Sequence, residues 1–206
     1  QVSAQTPESY AVLDEATGTL TFRHDAKKPA GAYPLNSPKE RPGWFVGDEF
    51  LINKNRIEKV VFDASFAAAR PTSCFCWFAG CMELKTIEGI EYLNTENVTD
   101  LSWMFFLCNS LTKLDVSNFD TQKVADMDFM FSGCSNLTTL DISNFNTKKV
   151  TTMLSMFTCC YSLTTLNFSN FDTKNVKNMS GMFSSCSNLT TLDISNFNTK
   201  KVTAMS

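Results

Sequence analysis

The sequence predicts an α/β fold, a right-handed solenoid with short parallel strands on one face and short helices on the other. A small β-rich cap is expected at its N-terminal end. Two observations carry the expectation. The first is a 26-residue period: Phe119, Phe145, Phe171 and Phe197 are evenly spaced, as are Val98, Val124, Val150, Val176 and Val202. Leu101, Met127, Met153, Met179 and Met205 keep the same step, and so do Cys108, Cys134, Cys160 and Cys186. Asn118, Asn144, Asn170 and Asn196 form a further column, and independent columns in one register define a repeat array. The second observation is a change of periodicity inside each unit.

The unit 137–162 shows that change. In Leu137-x-x-Leu140-x-Ile142 the last two apolar residues alternate with Thr139, Asp141 and Ser143, which reads as a short half-buried strand. Val150, Met153, Met156 and Phe157 then fall at helical spacing. Thr147 stands just before this stretch as a potential N-cap, as do Thr121, Thr173 and Thr199 in their units. Neither piece is stable alone, because a two-turn helix is marginal in water and a lone strand lacks a partner. Stacking supplies the partner: each strand is expected to pair with that of the next coil at about 4.8 Å.

The leading apolar residues Ile57, Leu84, Leu111, Leu137, Leu163 and Leu189 place the first unit near residue 57, with the first two units one residue longer. Before it, Tyr10 to Leu13 and Thr19 to His24 alternate around Gly18 and read as a β-hairpin. Pro29, Pro34, Pro38 and Pro42 then break the chain into irregular loop. The expected organisation is a polar tail over 1–9, a hairpin-and-loop cap over 10–56 and leucine-rich-type repeats over 57–206.

Composition narrows function. The formal net charge of -3 gives no electrostatic case for nucleic acid. No stretch approaches the roughly 18 consecutive apolar residues of a membrane span, and residues 1–9 resemble neither region of a signal peptide. A single histidine leaves little room for acid–base or metal constellations. No catalytic, cofactor-binding or metal-binding residue is expected, and no cofactor.

The units Leu111 to Val124 and Leu137 to Val150 (LTTLDISNFNTKKV), with Met153, Met156-Phe157 and Cys160, resemble the 26-residue bacterial surface protein repeat. That repeat belongs to BspA-like leucine-rich-repeat lipoproteins and mycoplasma surface lipoproteins. Residues 10–24 and 57–95 resemble the N-terminal part of such proteins. The resemblance implies a bacterial cell-surface or secreted location, with or without a lipid anchor, and an adhesion role. It brings no ligand and no catalytic residues.

Cys81, Cys108, Cys134, Cys160 and Cys186 form a column whose plainest reading is small apolar core filler. Cys74, Cys76 and Cys159 stand off it and are better placed for bridging or oxidation. The asparagine column is expected to hydrogen-bond within the turns, and the methionine column to fill core. The lysines Lys123, Lys148, Lys149, Lys174, Lys177, Lys200 and Lys201 gather at the entry to the helical arc and read as a solubilising rim.

Function is expected on the outward strand rows: Thr112, Lys113, Asp115 and Ser117; then Thr138, Thr139, Asp141 and Ser143. The rows continue with Thr164, Thr165, Asn167 and Ser169, and Thr190, Thr191, Asp193 and Ser195. They would be solvated strand residues or a polar platform for an extracellular protein or glycan. Two readings stand: a non-catalytic surface interaction or adhesion scaffold, and a structural spacer displaying another domain. The sequence stops after Met205-Ser206, inside the last coil, from which a continuation of the chain is the first expectation and end-to-end self-association through an uncapped coil the alternative.

Overall fold

The computed structural model describes residues 5–47, 53 and 55–206. Residues 1–4 of the expected tail, and 48–52 and 54 of the expected cap, lie outside the described residues. Among the described residues there are five strands: β1 (Glu8–Asp14), β2 (Thr19–Asp25), β3 (Tyr33–Pro34), β4 (Lys59–Phe62) and β5 (Thr86–Glu88). They form one sheet in the order β3-β1-β2-β4-β5. The β1–β2 hairpin pairs Glu8 with Asp25 through to Asp14 with Thr19. Gly18 takes the positive φ its turn needs, and a Cβ there would meet the Arg56 carbonyl at 2.8 Å. Strand β2 pairs in parallel with β4, and β4 with β5, so the N-terminal segment and the first two units share a sheet. Phe22 joins them, packing on Trp44, Phe62, Phe66 and Trp77.

Among the described residues there is no α-helix; two 3-10 helices, Ala64–Ala68 and Ile90–Tyr92, are the only helical elements. The helices expected on the outer arc are therefore corrected. In their place each arc is a run of turns whose alternate amides serve two purposes. Met104, Phe106 and Cys108 donate to the carbonyls of Leu101, Trp103 and Phe105 within the coil. Leu101, Trp103, Phe105 and Leu107 donate to Asp126, Asp128, Met130 and Ser132 of the next coil, at 2.8–3.0 Å. The pattern recurs one coil on, where Met127, Phe129, Phe131 and Gly133 donate to Thr152, Leu154, Met156 and Thr158. An α-helix would commit its amides beyond the first turn to its own carbonyls, and its free amides would point along the helix axis and not toward the next coil. Turns of three residues also put positions 150, 153, 156 and 157 inside, which is why the spacing mimics a helix; all four are buried.

These turns require left-handed residues. Trp103, Leu107, Phe129, Ser155, Cys159 and Ser185 have φ between 52° and 62°, while Gly133 and Gly181 fill equivalent places. Between coils run bridges in 26-residue register, Asp100–Asp126–Thr152–Asn178–Ala204. Inside, Phe105, Phe131, Phe157 and Phe183 stack with centroids 5.6–6.1 Å apart and planes within 10°.

The continuous strand ladder expected on the other face is also corrected. Past β5, the bridge Thr165–Thr191 is the one pairing found there among the described residues. The side chains of Asp115, Asp141, Asn167 and Asp193 capture the amides of Ser117, Ser143, Ser169 and Ser195, turning the chain away from extended pairing.

Side-chain ladders replace it. Asn118, Asn144 and Asn196 donate from Nδ2 to carbonyls of the preceding coil, Asn144 to Val116 and Phe119 at 3.2 and 3.0 Å. Asn170 donates likewise to Ser143. Of the threonines expected as caps, Thr121, Thr147 and Thr173 are buried bridges instead, while Thr199 is exposed. Thr147 donates to the Asp172 carbonyl at 3.1 Å while its oxygen accepts from the Asp172 amide at 2.8 Å. Thr95, Thr121 and Thr173 repeat the exchange.

The eight cysteines are free thiols. Cys108, Cys134, Cys160 and Cys186 donate from Sγ to the carbonyls of Phe78, Phe105, Phe131 and Phe157 at 3.0–3.2 Å, so the column both fills space and satisfies backbone. Burial pushes the Cys81 and Cys134 thiols up to about 12, and raises Cys108 and Cys160 as well.

Two outcomes are expected. Thr147→Val, which strips the bridging hydroxyl from a buried site, lowers unfolding free energy by about 1–3 kcal/mol in urea titration, and Thr147→Ser by less. Alkylation at about pH 8, followed by mass spectrometry, modifies half-exposed Cys159 ahead of the column, and Cys108, Cys134 and Cys160 only on unfolding.

Candidate functional site

Where strand pairing lapses, the face opens into a groove of about 720 Å3 lined by residues of four successive units. Its walls carry Lys113 and Asp115 from one coil, Thr139 and Asp141 from the next, and Thr165 and Asn167 from the third. Its floor is apolar: Ile87, Ile90, Leu114, Leu140 and Leu166. Of the sequence-predicted residues, these six wall positions are brought together. Thr112, Ser117, Ser143, Ser169, Thr191, Asp193 and Ser195 lie outside the lining. Ser117, Ser143 and Ser169 nevertheless shape the groove, since their amides hold the Asp115, Asp141 and Asn167 side chains at 2.9–3.0 Å.

The floor was missed by reading the outward rows as polar alone. Its signal is a column immediately before the acidic one, Leu114-Asp115, Leu140-Asp141, Leu166-Asn167 and Leu192-Asp193. Leu140 and Leu166 are buried and Leu114 half-buried, their edges accessible between coils that no strand ladder joins there, while Leu192 is exposed and lies outside the lining.

Electrostatically the groove has carboxylates along its middle and the Lys113 ammonium at one end. The Ser117 hydroxyl and amide hold Asp115 below the ordinary carboxylate range, against the opposing charge of Asp141. Ser143 does the same for Asp141, and the amide and then the hydroxyl of Ser195 for Asp193. The carboxylates are thus anions at neutral pH, oriented as hydrogen-bond acceptors. Among the described residues no group of three His, Cys, Asp or Glu side chains is placed to hold a metal ion, and no helix is long and apolar enough to cross a membrane.

Two other features flank the groove's coils. Lys39, itself left-handed at φ 65°, reaches from the N-terminal loop to Asp126 and to buried Asp100, 3.3 Å away. Burial lowers the affinity of its ammonium for the proton, but the Asp126 hydrogen bond and the two carboxylates outweigh this and leave it raised. On the outer arc, Trp103 stacks on Phe129 at 4.0 Å with Phe106 edge-on to both. The aromatic residues missing from the strand rows are gathered there.

Because folding lowers the proton affinity of Asp115, Asp141 and Asp193, their turns contribute stability above the unfolded carboxylate value of about 3.9 and lose it as pH falls through the lower folded values. The amide resonances of Ser117, Ser143 and Ser195 are expected to titrate with midpoints below about 3.9. Midpoints at or above it would show that the serine contacts do not favour the anion.

The chain has no match among the curated proteins. A solved structure, that of a leucine-rich repeat protein from T. pallidum, aligns over 95% of this chain and 77% of its own, at 16% identity and a TM-score of 0.38. Two overlapping segments, residues 72–167 and 140–206, match one family, and together they span every unit from the second onward. This repeat chain belongs to the family described as "Mycoplasma protein of unknown function, DUF285".

Proposed function

We propose that the chain is a non-catalytic surface interaction protein, a solenoid whose groove binds an extended segment of an extracellular protein or glycan. The observation that carries this reading is the groove itself: an apolar floor crossing four coils between walls of hydroxyl, amide and carboxylate groups. An apolar base with a few oriented polar groups is the usual make-up of a recognition site. Its open, elongated form suits a chain laid across the coils better than an enclosed small molecule. The titratable lining, Asp115, Asp141 and Lys113, is occupied in holding local structure or stands in open solvent, which speaks for recognition over acid–base chemistry. Placement at the cell surface or in secretion is part of the proposal, in keeping with the family and with the bacterial surface protein repeat that the units resemble.

The test is binding of the purified chain to immobilised extracellular matrix proteins and glycans, beside a Thr139→Arg, Thr165→Arg variant that puts two long side chains into the groove from the row of Lys113, Thr139 and Thr165. Both sites are exposed, so the fold should survive, and circular dichroism checks it. Saturable binding weakened about tenfold or more by the variant, equal to about 1.4 kcal/mol, is expected. Equal binding by both proteins removes the groove from the function.

A further inference from the structure

The edge where each coil enters its outer arc carries charge that steps from acidic to basic along the stack. Residues 94–97 hold Glu96, paired with Arg70 at 2.9 Å. In the next coil Asp120 offsets Lys123. Beyond that the balance breaks: Lys148 and Lys149, then Lys174 and Lys177, then Lys200 and Lys201, stand against Asp172 alone. Six lysines against one aspartate leave a charge of +5 on this edge, in a chain whose net charge is -3. All six lysines are exposed.

Coil stacking aligns five of these ammonium groups in two columns, with Lys177 beside them in the column of Thr151 and Thr203. One holds Lys148, Lys174 and Lys200, the other Lys149, Asn175 and Lys201, with successive coils about 4.8 Å apart. Like charges directly opposite one another across coils are unfavourable. Elsewhere in the chain such charge is cancelled by carboxylates, as in the pairs Lys59–Glu88 and Lys85–Glu58. On this edge Lys174 pairs with Asp172 at 3.0 Å, but Lys123 donates to a neutral amide, Asn97 Oδ1, at 2.6 Å and Lys201 to Asn175 Oδ1 at 2.8 Å. Asn175 in turn donates to the Lys148 carbonyl at 2.9 Å. An amide orients an ammonium without neutralising it. The basic row begins beside a depression of about 470 Å3 lined by Gln122, Lys123, Asn146, Lys148 and Lys149, with Glu96, Asn97 and Asp120 at its acidic end.

We infer that this lysine edge is a second binding surface, and that its ligand is a linear sulfated polysaccharide laid along the stack. The row, repeated coil by coil, fits a linear chain bearing regularly spaced anionic groups; beside it the Asn146 and Asn198 Nδ2 groups can donate to sugar hydroxyls, and the Thr151 and Thr203 oxygens, whose hydrogens go to the Ala125 and Lys177 carbonyls, can accept. Single-stranded nucleic acid needs aromatic side chains for its bases; Trp103 and Phe129 lie on earlier coils, and exposed Tyr161 follows the arc that the lysines precede, twelve residues past Lys149. A lipid surface would call for apolar side chains among the lysines, and the flanking positions are Asn and Thr. The surface is distinct from the groove, so either can fail without the other.

The probe is a size-defined heparin oligosaccharide on a biosensor surface, with the same oligosaccharide desulfated as control. Lys148→Gln, Lys149→Gln, Lys200→Gln, Lys201→Gln is compared with Lys27→Gln, Lys28→Gln, Lys59→Gln, Lys85→Gln, which removes the same charge elsewhere. At about 0.1 M salt the edge variant should bind about tenfold or more weakly, with a shallower dependence of log affinity on log salt. The scattered variant should lose no more than about threefold, as its lysines make only surface pairs. In the unaltered chain, bound oligosaccharide should protect Lys148, Lys149, Lys200 and Lys201 from acetylation, a readout independent of any variant's folding. The inference is overturned by absence of binding, by equal loss in both variants, by equal affinity for the desulfated chain, or by stronger binding to DNA or phosphatidylserine vesicles. Acetylation of the edge unaffected by the oligosaccharide overturns it as well.

Discussion

Alternate use of backbone amides along the outer arc is the constraint on which the rest of the structure depends. One amide closes a three-residue turn and the next donates to the following coil, so each arc is both self-contained and open to its neighbours. The arrangement requires residues at positive φ at regular places, and side chains as large as Trp103 and Phe129 accept that conformation. It also fixes the interior. Turns in register deliver one phenylalanine per coil to the same place, and the resulting ring column is continuous through the stack. The cysteine beside each ring is small enough to fit, and its thiol adds a second hydrogen bond to a carbonyl of the preceding coil that already accepts an amide within its own turn.

Because the arc supplies the backbone links, the opposite face is free to be irregular. There the Asp-x-Ser and Asn-x-Ser turns consume amides that a strand ladder would need. Asparagine and threonine side chains hold the coils together at the bends instead. With no strand ladder to close that face, the edges of Leu114, Leu140 and Leu166 line the groove. The groove is thus a consequence of where the hydrogen bonds are not made. A fold of this kind can vary its groove walls without disturbing its core, since wall and core residues hang on different bonds.

Charge is distributed in keeping with this division. Carboxylates line the groove and lysines collect on the edge between groove and arc, giving a weakly acidic chain two surfaces of opposite character. Lys39 serves a third purpose, tying the N-terminal loop to Asp100 and Asp126 and so joining the sheet of β1–β5 to the turn-linked coils. Membership of the family extends from the second unit onward, the part of the chain in which both surfaces lie.

The 26-residue columns were legible in the sequence because stacking demands that equivalent residues face equivalent surroundings: Val150, Met153, Met156, Phe157 and Cys160 are buried as their periodicity requires. The outward polarity of Thr139, Asp141 and Thr165 was legible for the same reason, as was the hairpin at Gly18. The conformation joining those residues was not, because a train of three-residue turns and a short helix place apolar side chains at the same spacing. Which of them forms depends on where the amides find acceptors, and those acceptors lie a full coil away. The same holds for the groove floor: Leu140 reads as core in any single unit, and only the distance between coils decides that its edge is reachable. Sequence by itself determined the repeat, the core columns and the polar face. Tertiary structure decided which face carries the backbone ladder, since a hydrogen bond between coils is a property of two units and is written in neither.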